Sequence, residues 1–216
     1  MPQKRRGFFR SLIGSGALLG VFGGKAAAVD KMPPVDGRYD IVVAGGGPGG
    51  VCSAVAAARA GKKVLLIERY GFLGGMATAG LVEPFMPFRT AGTQVNAGLF
   101  EEVRQRLIKA GGYGSPVDQD CTDSEVLKIV ELDMLLESGA DILFHSFVYG
   151  ATVRKNRITE VKVANKAGEM RFAAGYFVDA TGDGDLAFFA GADWELGRAE
   201  DGRDITREML NRMGPS

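Results

Sequence analysis

The chain has 216 residues, 46% hydrophobic and 24% charged, enough apolar content to bury a core and too much for a disordered tail. Its 26 basic and 26 acidic side chains cancel, which excludes a basic nucleic-acid footprint, and the length suggests one domain. Glycine is the outlier at 32 residues with no Gly-x-y period, which points to tight turns and close backbone–ligand approach. One histidine (His145) and two cysteines (Cys52, Cys121) exclude a four-cysteine zinc site or iron–sulfur cluster built by this chain alone.

Residues 1–28 read as a signal peptide. Lys4, Arg5 and Arg6 supply the charge, an apolar stretch follows from Phe8 to Phe22, and Ala26-Ala27-Ala28 closes it. Arg5-Arg6-Gly7-Phe8-Phe9 resembles a twin-arginine signal, which implies export to the periplasm of a protein already folded around its cofactor. The stretch is too short and glycine-rich to span a membrane, and its removal would take the net charge from zero to −5. Residues 29–38, with Pro33-Pro34, read as a polar linker.

Tyr39–Ala44 is apolar and β-branched, a buried strand. Gly45-Gly46-Gly47-Pro48-Gly49-Gly50 ends it, a helix follows over Val51–Ala60 with Gly61 as its stop, and Lys63–Ile67 is a second buried strand that ends on Glu68. The fingerprint glycines of a dinucleotide site fall on Gly45, Gly47 and Gly50. The first makes the tight turn, the second leaves room for a pyrophosphate, and the third lets helix and strand pack closely. The helix N-terminus would face the phosphates, and Pro48 and Gly49 lie in the same turn. Glu68 stands 18 residues past Gly50, where an acid hydrogen-bonds a ribose hydroxyl and repels a 2′-phosphate. Cys52 reads as a small packing residue in the helix.

The run Glu68-Arg69-Tyr70-Gly71-Phe72-Leu73-Gly74-Gly75 resembles the second-strand exit of FAD-dependent oxidoreductases of the glutathione-reductase-like type. That resemblance implies a Rossmann-like α/β fold, with a parallel sheet plus a small antiparallel β-meander, and FAD as cofactor. It places Glu68 and the adjoining Arg69 at the adenosine ribose, and Gly74 and Gly75 along the phosphates and ribityl chain.

Leu99, Phe100, Val103, Leu107 and Ile108 recur at helical spacing. Thr122-x-x-Glu125 has the form of a capping box opening a helix to about Ser138. Asp141–His145 is a third short strand, and runs near Ala151–Arg154, Ile158–Val163 and Met170–Ala173 read as the meander, with turns at Lys155-Asn156 and Ala167-Gly168. The resemblance implies that the residue after the third strand touches adenine through its backbone, which falls on Val148. His145 at the strand end reads as structural, and Trp194 as packing or surface.

A further apolar strand ends in Asp179-Ala180-Thr181-Gly182-Asp183-Gly184-Asp185. In the resembling family an Ala-Thr-Gly strand end closes against the glycine loop and the adenosine part of FAD, which implies a role for Ala180, Thr181 and Gly182. Asp179, Thr181, Asp183 and Gly184 also mimic the start of a calcium loop, but Ala190 stands where the bidentate glutamate is required. Asp183 or Asp185 is a candidate cap for a short helix over Leu186–Ala190.

The resemblance covers Tyr39 to about Arg198, so residues 39–200 read as an FAD-binding domain and 201–216 as a polar tail. Relatives of this type normally continue, so an incomplete domain is expected, with the flavin-ring side, substrate and electron acceptor supplied elsewhere. A second copy or a completing subunit is the expected partner. No metal site and no catalytic acid, base or nucleophile is nominated. Two alternatives stand beside the flavin reading: an NAD-binding thiazole-synthase-like protein, and an inactive nucleotide-binding remnant.

Overall fold

A computed structural model describes residues 37–91, 93–114 and 120–194. The expected signal peptide, most of the linker and the polar tail lie outside these residues.

The sheet is built around β1 (Gly37–Ala44), which starts two residues inside the expected linker. Val42, Val43 and Ala44 are fully buried. Helix α1 (Pro48–Arg59) and strand β2 (Val64–Ile67) follow, and all four residues of β2 are buried. A strand covered on both faces shows no polar alternation, which is why both read as continuous apolar runs. The helix begins three residues earlier than expected, because Pro48 supplies the φ of a first helical position and loses no needed N–H there.

A loop then carries a single 3₁₀ turn (Gly75–Ala77) and a two-stranded hairpin, β3 (Arg89–Thr90) with β4 (Thr93–Gln94), which no sequence signal announced. Helix α2 (Leu99–Ala110) and helix α3 (Ser124–Ser138) follow. The capping box is corrected here. Asp123 caps α3, accepting from the N–H groups of Glu125 and Val126, while the Thr122 hydroxyl donates to the Glu83 carbonyl. Asp precedes the helix with the shorter reach, and the hairpin-bearing loop claims the threonine.

Strand β5 (Asp141–Leu143) stops before His145, whose φ of 51° ends the extended run. β6 (Phe147–Arg154), β7 (Arg157–Asn165) and β8 (Gly168–Asp179) form the meander, followed by α4 (Asp185–Phe189). Lys155 and Asn156 have φ of 50° and 58°, the pattern of a two-residue hairpin turn. One expectation changes: β8 is one strand of 12 residues where two were read. The expected antiparallel meander is present and continues the parallel sheet. All six strands share the order β5-β2-β1-β8-β7-β6, with β5, β2, β1 and β8 parallel and the β8-β7-β6 side antiparallel.

One face of the sheet, through Val43, Leu66, Ile41 and Val178, packs under α1 to α3. The other, through Val42, Ala44, Leu65 and Ile67, packs against Val161, Val163, Phe172 and Leu186 of the meander and α4. This places the carboxyl ends of β1, β2 and β8 side by side at one edge of the sheet, where α/β folds open their ligand crevice.

Candidate dinucleotide-binding cleft

The turn after β1 is held by contacts that only glycine permits. Gly45 has φ +100°, and a Cβ there would lie 2.2 Å from the Ala180 carbonyl oxygen. A Cβ on Gly50 would lie 1.9 Å from the Gly45 oxygen. Gly47 differs. Its Cβ would have only Gly75 Cα within 4 Å, at 3.8 Å, so it would project into open space. Gly47 is also the N-cap of α1 and carries no side chain to cap it. The first-turn N–H groups of α1 therefore face the opening with the positive end of the helix dipole behind them.

Glu68 forms the second wall. It is buried, and both its oxygens accept backbone N–H groups: Oε2 from Gly46 at 2.6 Å and Oε1 from Tyr70 at 2.8 Å. A carboxylate in the interior needs such partners. Glu68 thereby ties the end of β2 to the glycine turn, besides offering its remaining lone pairs to a ligand. The Arg69 guanidinium sits 5.0 Å from the centre of the Tyr70 ring. The Gly74 N–H donates to the Gly46 carbonyl at 2.9 Å, and a Cβ on Gly75 would lie 2.9 Å from Gly47 Cα. The glycine pair therefore packs directly on the glycine turn.

The third wall is the turn after β8. The Ala180 N–H donates to the Ala44 carbonyl at 2.8 Å, which docks the turn beside Gly45. Together the walls bound a cleft of about 950 Å³.

Gly45, Gly47, Pro48, Gly49, Glu68, Arg69, Gly75, Ala180, Thr181 and Gly182 all line that cleft. Gly50 and Gly74 lie behind it and shape it through the contacts above. Val148 is not on the lining. It packs in the core with Val163 and Phe172, and the polar residue after the third strand that lines the cleft is Ser146. Ser146 is buried, its N–H donates to the Glu68 carbonyl at 3.0 Å, and its hydroxyl donates to Phe144 O at 2.8 Å. Nothing local marks it in the sequence. Ser53, Tyr70, Met76 and Asp179 also line the cleft without having been singled out for it. Ser53 was reachable, since it lies one helical turn from Gly49 and donates to its carbonyl at 2.6 Å.

A model of a known protein family, described as FAD dependent oxidoreductase, matches residues 40–215. The chain belongs to the FAD-dependent oxidoreductase family. Family membership gives the cofactor, FAD, and the cleft, with its bare glycine backbones and the buried Glu68, has the room and polarity such a group needs. The chain is 50% identical over 42 residues to dihydrolipoyl dehydrogenase from Trypanosoma brucei brucei, a match covering 19% of this chain and 9% of that protein. It is 55% identical over 39 residues to soluble pyridine nucleotide transhydrogenase from Mycobacterium bovis (strain BCG / Pasteur 1173P2), covering 18% and 8%. Among solved structures it resembles L-proline dehydrogenase from P. horikoshii, with a TM-score of 0.55 and 17% identity over 76% of this chain and 58% of that one. Each match thus reaches well under two thirds of the relative's own length, and the structural likeness speaks for the fold.

Proposed function

We propose that the cleft binds the adenosine and pyrophosphate part of FAD in a glutathione-reductase-like manner, and that the chain is the FAD-binding part of an oxidoreductase. The observation that carries this reading is the cleft lined by the bare backbones of Gly47 and Gly75 in front of the uncapped start of α1. Two glycine backbones put no side chain into the cleft at that point, and the first-turn N–H groups of α1 favour an anion there. Glu68 and Arg69 would hold the ribose side, and Ala180 to Gly182 would close over the adenosine. Bound FAD supplies the hydride or electron transfer. The residues of this chain bind and orient it.

The test is a titration of the purified protein with FAD, followed by visible absorbance and calorimetry, alongside Gly47→Val. Valine at the N-cap should leave the fold intact, since a Cβ there meets only Gly75 Cα at 3.8 Å, and would put a branched side chain where the phosphate would lie. FAD uptake by the parent and its loss in the variant is the expected result. Equal FAD occupancy in both would refute the assignment of the turn. A colourless protein that retains NAD would favour the thiazole-synthase-like alternative.

We further propose export through a twin-arginine signal, supported by Arg5-Arg6-Gly7-Phe8-Phe9 and the alanines at 26 to 28. A receptor reads that pair, so Arg5→Lys with Arg6→Lys should hold the protein in the cytoplasm. Normal periplasmic accumulation of the double variant would rule it out. A second copy of the chain, or a completing subunit, is the proposed partner on the flavin-ring side, and analytical ultracentrifugation with FAD present tests it.

A further inference from the structure

We propose that Asp179 is a positioning residue for the dinucleotide: it holds the turn from Ala180 to Gly184 in its ligand-ready shape. The inference rests on the FAD-binding reading of the cleft and adds a residue that the reading does not need.

Asp179 is the last residue of β8, and its carboxylate folds back over the chain that follows. Oδ1 accepts from the Thr181 N–H at 3.1 Å and from the Thr181 hydroxyl at 2.8 Å. Oδ2 accepts from the Ala187 N–H at 2.8 Å, eight residues on. The Thr181 Oγ1 in turn accepts from the Asp185 N–H at 2.9 Å. The loop between β8 and α4 is therefore a closed circuit of four hydrogen bonds centred on one carboxylate.

The circuit solves a local problem. Helix α4 has five residues, and its N-cap, Gly184, offers no side chain. Orphan N–H groups in its first turn need acceptors. They come from Asp179 and Thr181, upstream of the turn, and not from Asp183 or Asp185 as the sequence order invited. Leu186, fully buried, fixes the far end of the circuit in the core, and the Ala180 N–H bond to Ala44 O fixes the near end. The turn between these anchors lines the cleft from Ala180 to Gly184.

Two consequences follow for a ligand. The wall is already ordered, so binding does not bear the entropy of ordering it. The Asp179 carboxylate, which itself lines the cleft, is also engaged by three donors of its own loop.

The test measures FAD and ADP affinity by calorimetry for the full chain and for Asp179→Ala, Asp179→Asn, Thr181→Val and the double variant Asp179→Ala with Thr181→Val. Amide exchange at Thr181 and Ala187 is followed in the ligand-free protein. Asp179→Ala should weaken both ligands by roughly tenfold or more, since the loop must then be ordered on binding. Asp179→Asn should fall between, because its oxygen still serves Thr181 while its amide nitrogen cannot accept from Ala187. The double variant should be no worse than its weaker parent, because the two residues act as one unit. Amide exchange at Thr181 and Ala187 should quicken in Asp179→Ala. Wild-type affinity in Asp179→Ala, or losses that simply add in the double variant, would overturn the inference and leave the FAD reading standing. If Asp179→Ala fails to fold, Asp179→Asn decides the matter alone: wild-type affinity with unchanged amide exchange at Ala187 overturns it. A parent chain that takes up neither ligand removes the FAD reading and this inference together.

Discussion

Replacing Glu131 by glutamine should make the protein more stable at neutral pH, and by an amount that grows with pH. Glu131 lies on α3, is 3% exposed, and its Oε2 has no hydrogen-bond partner. Burial pushes its carboxyl up from 4.5 to about 8. The folded protein therefore binds a proton that the unfolded chain releases between those two values. The sign follows directly: this group's contribution is fully present below about pH 4.5 and is lost as pH rises toward 8. At 1.36 kcal/mol per unit, the loss is on the order of 3 kcal/mol by pH 7. Glutamine has nearly the same shape and never ionises, so its stability should stay flat over the same range. For a domain of this size the difference between the two proteins should widen by roughly 5 to 10 °C in Tm between pH 5 and pH 7. Differential scanning calorimetry at several pH values reads this, and the comparison of slopes cancels any constant penalty of the new amide. Parallel pH profiles for the two proteins would show that Glu131 is not held neutral by burial. Cys52 on α1 gives a second readout. Burial raises its thiol first and the nearby Glu131 and Glu102 charges add to that, so Glu131→Gln should lower the pH at which a thiol reagent attacks it.

Gly50→Ala should damage the fold where Gly47→Val does not, because its Cβ meets the Gly45 carbonyl at 1.9 Å; a loss of about 3 kcal/mol or more in urea unfolding is expected. A near-native Cm would show that the turn can open without harm. Glu68→Gln leaves one of two backbone donors, Gly46 N–H or Tyr70 N–H, without an acceptor, which should cost about 1–3 kcal/mol and weaken FAD binding in calorimetry. Unchanged stability would mean that Glu68 serves the ligand alone.

Much of the cleft was legible because its chemistry is local. Gly45, Gly47 and Gly50 sit in one turn between a strand and a helix; backbone geometry demands glycine at 45 and 50, and Gly47 keeps the front of the turn bare. Glu68 follows at the end of the next strand, and Ala180 to Gly182 at the end of another. Each lies at a carboxyl end, so the topology of a parallel sheet brings them to one edge. The strand and helix periods were likewise readable, and their ends less so, because Pro48 and Asp123 settle the boundaries by capping and φ preference.

What the sequence determined by itself is the set of parts: a buried β-α-β unit, a glycine turn, an acid after it and a second turn of the Ala-Thr-Gly type. Only the tertiary structure decided how the parts are shared out. β8 became one long strand because its first half pairs with β7 and its second half with β1, a choice made by partners distant in the chain. Thr122 lost the cap of α3 to Asp123 once Glu83 came within its reach. Val148 went into the core and Ser146 to the cleft because His145 turns the chain between β5 and β6. The Asp179 carboxylate was spent on Thr181 and Ala187 because the chain doubles back over it. In each case a polar or apolar group had more than one acceptable local partner, and the partner it took was fixed by which distant segment packed beside it.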